Sequence, residues 1–172
     1  MQAANENTLK WRRMEAGDLA SVTDIAADVH TDFHEDDIVF LERLKLYPDG
    51  CLVLEGAAGR LFGYAISHPW LLYSMPALNS ALGRLPDAPT TYYLHDIALL
   101  PQSRGTGSAG TVVSILVGQA VEAGLSTMSL VAVNGSAGFW QKNGFKIVSR
   151  ADLQPKLKTY SDDACFMLRQ LQ

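Results

Sequence analysis

Cysteine is nearly absent: the 172 residues hold two, Cys51 and Cys165. Two cysteines cannot build a disulfide framework, and neither stands at a metal-ligand spacing, so a stapled secreted scaffold and a zinc module are both excluded. They read as buried thiols in a reducing cytoplasm, not as nucleophiles. No metal is expected. No apolar run approaches the ~20 residues that cross a bilayer, so no membrane partner is expected either. Basic residues form no stripe and the formal net charge is −4, which argues against sequence-independent nucleic-acid binding. Residues 1–7 lack a basic segment followed by an apolar stretch; they read as a short disordered tail, not a secretory signal.

What is present fits one globular domain over residues 8–172. Thr8–Met14 reads as a first strand. Asp18 is a candidate N-cap for a helix carrying Leu19, Val22, Ile25, Ala26 and Val29 at helical spacing. Asp36 or Asp37 opens a second helix with Ile38, Leu41 and Leu44. Cys51–Glu55 and Leu61–Ser67 form a hairpin across Gly56-Ala57-Ala58-Gly59. Trp70–Thr90, with prolines at 76, 86 and 89, reads as a long irregular connection. Thr91–Leu100 is a strand ended by Pro101. A helix over Gly110–Ala123, a strand over Thr127–Val133 and a short helix over Ser136–Asn143 follow. Phe145–Ser149 and Ala164–Arg169 are the last strands. The order β-α-α-β-β-β-α-β-α-β-β predicts an α/β fold: one mixed sheet with helices on both faces.

The most informative stretch is Leu99-Leu100-Pro101-Gln102-Ser103-Arg104-Gly105-Thr106-Gly107-Ser108-Ala109-Gly110. A buried strand ends, and a glycine-rich turn leads into a helix. Such a turn exposes backbone N–H groups at the positive end of a helix dipole, and glycine lets an anion come close. Phosphate or pyrophosphate binding is the implied chemistry; a plain tight turn is the alternative. Gly105 to Gly110 also matches the dinucleotide pattern G-x-G-x-x-G. That pattern should close the first strand of a βαβ unit, with an acidic residue ending the next strand. Here a hundred residues precede it, and the next strand ends at Val133-Asn134, so the dinucleotide reading fails.

Arg104, Gly107 and Ala109 satisfy [Q/R]-x-x-G-x-[G/A], which resembles motif A of the GNAT superfamily of acyl-CoA-dependent N-acyltransferases. Leu130 to Phe145 resembles its motif B, a strand, an Asn, then F-Y-x-x-x-G-F. Asp163–Leu168 resembles its final strand. The resemblance covers nearly the whole chain. It implies a mixed, mostly antiparallel twisted sheet of about seven strands, with acetyl-CoA as co-substrate. In that fold pantetheine lies between two splayed strands, along the main chain at Ile97, Ala98 and Leu99. The turn from Arg104 through Gly105, Thr106, Gly107, Ser108 and Ala109 to Gly110 would hold the pyrophosphate. Asn134, Phe139 and Trp140 would border the pantetheine arm.

Acyl transfer to an amine needs a base for the ammonium proton and stabilisation of the carbonyl oxygen. The leaving thiolate can also need a proton. In the superfamily the acid is commonly the Tyr of F-Y-x-x-x-G-F; here that position is Trp140, whose indole is no acid. Tyr73, Tyr92, Tyr93 and Tyr160 are the available substitutes, and unassisted departure is the alternative. For the base, Tyr93, His95 and Ile97 share one face of an extended strand, and His95 would reach the amine. A packing histidine is the plain alternative. Asp96 points to the other face, unless a bulge turns it inward. The resemblance places His34-Glu35-Asp36-Asp37 and Trp70–Pro76 near the acceptor mouth. Glu35, Trp70, Tyr73 and Tyr160 are thus the substrate-side candidates. The expected activity is direct acetyl transfer to a small-molecule amine by a cytoplasmic monomer or homodimer. A protein N-terminus or lysine is the rival acceptor, and a non-catalytic acyl-CoA-binding module is the rival class.

Overall fold

Seven strands form one sheet in the computed structural model, which describes residues 8–171. The tail expected over residues 1–7 lies outside the described residues. The strands are β1 (Lys10–Arg13), β2 (Cys51–Glu55), β3 (Leu61–Trp70), β4 (Thr91–Leu99), β5 (Thr127–Ala132), β6 (Lys146–Ile147) and β7 (Cys165–Gln170). Their order across the sheet is β1-β2-β3-β4-β5-β7-β6. All neighbours are antiparallel except β4 and β5, which run parallel. The mixed, mostly antiparallel sheet expected from the element order is therefore present.

Helices cover both faces. On one, Val22 and Ile25 of α1 (Leu19–Val29) and Phe40 of α2 (Asp37–Leu46) pack on Val53, Tyr64, Ile66 and Ala98. On the other, Val112, Val113, Leu116 and Ala120 of α3 (Ser108–Glu122) pack on Leu52, Ala65, Tyr92, Leu94, Met128 and Leu130. Each Val, Leu, Ile, Phe or Met among them, fully buried, contributes about 1.5–3 kcal/mol. The short helix α4 (Ala137–Lys142) follows β5.

Several local expectations need correction. A further helix, α5 (Gln154–Lys158), stands between β6 and β7; one turn is too short to show a period in the sequence. β6 shrinks to Lys146–Ile147 at the sheet edge. β3 runs on to Trp70 through Pro69, because β2 pairs with it only as far as Ile66, and the proline removes no ladder bond on that side. The buried face of α2 is Val39, Phe40 and Arg43, while Ile38 is 64% exposed. Arg43 can turn inward because Glu42 Oε1 and the Ser80 carbonyl accept from its guanidinium, at 2.7 and 3.1 Å. Asp18 precedes α1 but does not cap it with its side chain; its carboxylate accepts from Arg12 and from the Glu15 N–H, the latter as part of a capping box on the short 3-10 turn Ala16–Asp18. Asp36 precedes α2, but its carboxylate turns to His34 and Asn79 instead.

Two irregularities in β4 position the site. β4 and β5 are paired only at Tyr92–Met128 and Tyr93–Ser129; beyond that they part, and a cleft opens between them. In the β3 ladder, Ile66 faces Asp96 and Ser67 faces Leu94, so His95 is an extra residue, a bulge on β4.

Candidate active site

The bulge overturns the expected alternation. Tyr92 and Leu94 lie on the α3 face, whereas Ala98 packs in the core beneath α1 and α2. The strand thus changes phase at His95. Asp96 meets Tyr64 and His30 on the α1 face, and His95 meets Glu35, just before α2. Ile97 packs with Leu94 on the α3 side. His95 and Asp96 therefore work on the same side of the sheet, and Ile97 does not share that face.

The turn after β4 is built by its own hydrogen bonds. Thr106 Oγ1 donates to the Ser103 carbonyl at 2.7 Å, Thr111 Oγ1 to the Gly107 carbonyl at 3.0 Å, and Arg104 Nε to the Leu99 carbonyl at 3.2 Å. Gly105 and Gly107 sit at φ +74° and +81°, where a side chain would be strained. Gly107 is the residue immediately before α3, whose 15 residues give a full dipole, and the first turn carries no acidic residue to fill it. A Cβ placed on Gly105, Gly107 or Gly110 would meet nothing within 4 Å. The backbone there is open to an incoming anion, and the residues present fit a pyrophosphate.

Next to the turn lies a cleft of about 630 Å³. Of the residues expected to hold the co-substrate, Ile97, Leu99, Arg104, Gly105, Ala109, Asn134, Phe139 and Trp140 line it. His95 and Asp96 line it too. Ala98 does not, because its side chain is buried in the opposite core. Thr106 and Ser108 border a separate hollow with Leu9, Lys10 and Trp11, and Trp11 Nε1 donates to the Ser108 carbonyl at 2.8 Å. Asn134 is held at φ +53° beside Gly135, whose N–H donates to Asp163 at 3.2 Å. Trp140 is largely core, edge-on to Phe139 and Phe145.

A second cavity of about 60 Å³ adjoins the cleft. Glu35, Tyr93 and Tyr160 line it with Phe33 and Leu78. His30, His95, Asp96, Val131 and Val133 line both spaces and mark their junction. Trp70 and Tyr73, expected at the acceptor mouth, line neither. Trp70 packs edge-on against His68 and donates to the Ser74 carbonyl, while Tyr73 lies between Phe166 and the Arg150 guanidinium.

Two histidine–carboxylate pairs stand at the junction. His95 Nε2 lies 2.7 Å from Glu35 Oε1, with both side chains 7% exposed. Burial works to raise the Glu35 carboxyl, but the charge and hydrogen bond of His95 prevail and hold it below the usual carboxylate range. His30 Nε2 lies 2.7 Å from Asp96 Oδ1, and Tyr64 donates its hydroxyl proton to Asp96 Oδ2. Burial opposes charge on Asp96 and on His30. The hydrogen bond and attraction between them outweigh it, lowering the carboxyl and raising the imidazole. Sequence reasoning missed His30, Phe33, Leu78 and Arg43. They belong to no motif, and only the fold brings positions 30, 35, 78 and 95 together.

Residues 19–145 match the model of the acetyltransferase (GNAT) family, and the chain belongs to that family. It is an acyltransferase of that family, with acetyl-CoA as co-substrate. No curated protein is similar enough in sequence to count as a relative. Among solved structures, GphF, a GNAT-like decarboxylase in complex with isobutyryl-CoA, is 15% identical with a TM-score of 0.79, over 95% of this chain and 100% of that one. The NatC complex bound to Gag peptide and CoA is 15% identical with a TM-score of 0.70, over 95% and 99%. N-acetylglutamate synthase from Neisseria gonorrhoeae, complexed with coenzyme A and N-acetyl-glutamate, is 16% identical with a TM-score of 0.66; the match covers 98% of this chain and 36% of that longer one. At such identities the likeness shows the fold alone.

Neither cysteine is placed to carry the acyl group. Cys51 is buried, which pushes its thiol up to about 12, and burial raises Cys165 as well. Neither lines the cleft or the smaller cavity. Intact mass spectrometry after incubation with acetyl-CoA alone is expected to show no stable acetyl adduct. Cys165→Ser should retain full turnover, and its loss in a folded variant would count against direct transfer.

Proposed function

We propose that this protein transfers an acetyl group from acetyl-CoA directly to the primary amine of a small molecule. The observation that carries the reading is the small cavity at the cleft junction. Its wall holds two carboxylates, Glu35 and Asp96, among the aromatic rings of Phe33, Tyr93 and Tyr160. Carboxylates and ring faces attract an ammonium group. About 60 Å³ admits the end of a small molecule and little more.

Leu78, from the connection after β3, lines the cavity. The strap from Pro76 to Gly83 is fastened to the segment around α2: Leu82 and Gly83 N–H groups donate to Glu42 at 2.7 and 3.1 Å. The Asp36 N–H donates to Asn79 Oδ1 at 2.7 Å, and the Asn79 N–H to Glu35 Oε2 at 3.3 Å. The Tyr160 hydroxyl donates to the Pro76 carbonyl. A polypeptide acceptor would have to displace these bonds; a small amine need not.

Acetyl-CoA supplies the activated acetyl group. The amides from Gly105 to Gly110 would hold its pyrophosphate, and Leu99, Asn134 and Phe139 would flank its arm. His95 takes the amine proton. Glu35 accepts from Nε2–H, which orients the ring and leaves Nδ1 as the acceptor. The decisive experiment is a panel of small amines and short peptides, read by release of free CoA thiol and by product mass. Small amines are expected to be acetylated and peptides not. Peptide-only acetylation would reassign the acceptor class; binding of acetyl-CoA without turnover of any amine would favour a binding module.

A further inference from the structure

We propose that His30, at the C-terminal end of α1, is the acid that protonates the departing thiol, in the place where the superfamily pattern has a tyrosine and this chain has Trp140. The inference rests on the N-acetyltransferase reading above. Its starting point is elimination. Trp140 is packed into the core and its indole N–H is no acid. Tyr92 is buried away from the cleft and paired with the Ser67 hydroxyl. Tyr73 lines neither cavity. Burial pushes Tyr160 up to about 12, and its proton is held by the Pro76 carbonyl. Tyr93 is buried and raised further from neutrality. None of the four tyrosines stands at the cleft with a proton free to give.

His30 has the position and the setting. It lines both the cleft and the smaller cavity, so it stands where the co-substrate arm and the acceptor meet. Its side chain is 20% exposed, against 7% for His95. With Nε2 committed to Asp96, Nδ1 is the nitrogen left to donate. Asp96 is itself fixed by the Tyr64 hydroxyl, so the ring has a rigid anionic back. The His30 N–H accepts no new role, since it closes α1 onto the Ala26 carbonyl, and a helix C-terminus favours a cation. The charged groups around the ring are Asp96 from β4, Glu35 from the segment before α2, and Arg104 from the glycine turn. The two carboxylates favour imidazolium and Arg104 opposes it. His95, also on β4, adds its charge to those acting on Asp96.

The protons then balance between the two histidines. His95 Nδ1 takes the ammonium proton and passes it to solvent, and as the C–N bond forms it takes the second proton from the nitrogen. As the C–S bond breaks, His30 gives its Nδ1 proton to sulfur and becomes neutral, keeping Nε2–H on Asp96. Solvent at the cleft resets both rings.

Nuclear magnetic resonance of the full chain with ¹⁵N-labelled histidine tests the placement without turnover. In the free protein His30, assigned by its loss in His30→Gln, should titrate above the usual histidine value. Adding CoA should move its resonance and midpoint, and desulfo-CoA, which lacks the thiol, should not. Equal responses to the two would overturn the proposal. In turnover, His30→Gln should lower kcat by roughly 10²–10⁴ and erase the alkaline limb of the pH profile while acetyl-CoA affinity holds. An unchanged rate and limb would also overturn it. If the wild type acetylates no amine, the functional reading fails, and the comparison of CoA with desulfo-CoA still decides whether His30 meets the sulfur.

Discussion

Gly107→Glu is expected to abolish acetyl-CoA binding in a protein that still folds. Gly107 sits at φ +81° with no atom within 4 Å of where a Cβ would stand. The substitution therefore meets no steric clash. It does cost the backbone strain of a non-glycine residue in the left-handed region, about 1–2 kcal/mol. The larger effect falls on the ligand. A carboxylate at the end of α3 would occupy the open face of the turn and take up the helix-terminal N–H groups that an anion needs. Like charges ~4 Å apart repel by about 4 kcal/mol at an effective dielectric of 20, which corresponds to roughly 10³-fold in affinity. Gly107→Ala separates the two effects, since it carries the strain without the charge. Calorimetric titration should show near-normal affinity for alanine and none measurable for glutamate. Unchanged affinity in folded Gly107→Glu would place the pyrophosphate elsewhere.

The sequence makes the scaffold readable because its signals are local. The glycine turn, the strand ended by Pro101 and the helix after Gly107 are all set by neighbours in the chain. So is the hairpin between β2 and β3. The site is less readable because it is assembled from distant segments. His95 was visible as a candidate on β4, but its partner Glu35 is 60 residues away. The bulge that brings Asp96 to the α1 face has no marker in Tyr92-Tyr93-Leu94-His95-Asp96. It arises from the register against Ile66 and Ser67. His30 is likewise silent: it follows an amphipathic helix as one more polar residue, and only the packing of α1 on β4 gives it Asp96. Arg43 shows the same limit from the other side. Spacing favours Ile38, Leu41 and Leu44 as the inward face of α2, yet a charged residue takes that place because Glu42 and the Ser80 carbonyl accept from its two terminal nitrogens.

His95→Gln should lower turnover by about 10²–10⁴ while leaving acetyl-CoA affinity intact. Glutamine is the informative choice. Its amide can donate to Glu35 as Nε2–H does, so the buried carboxylate keeps a partner, but it cannot take a proton. Alanine would instead leave Glu35 with only the Asn79 N–H, and breaking a buried pair costs up to about 3–5 kcal/mol, which would mix stability with catalysis. In the wild type, turnover at saturating substrate should fall towards acid, because a protonated base accepts nothing. Protonation of the carboxylates is a separate event. Burial raises Glu35 and Asp96, but their histidine partners outweigh it and both are held below the usual range. Groups depressed in this way stabilise the fold above the unfolded carboxylate pKa, about 4.3 for Glu and 3.9 for Asp. That stability is lost as pH falls through the folded values. Melting temperature recorded alongside rate therefore marks where the fold begins to fail, and the acid limb is read where melting is still flat. In His95→Gln that limb should vanish, and the deficit should shrink at high pH, where more of the amine is already free base. A variant that keeps the wild-type rate and acid limb would move the base to Glu35 or Asp96. Glu35→Gln is then the next measurement, because it removes the carboxylate from the cavity and leaves the His95 ring in place.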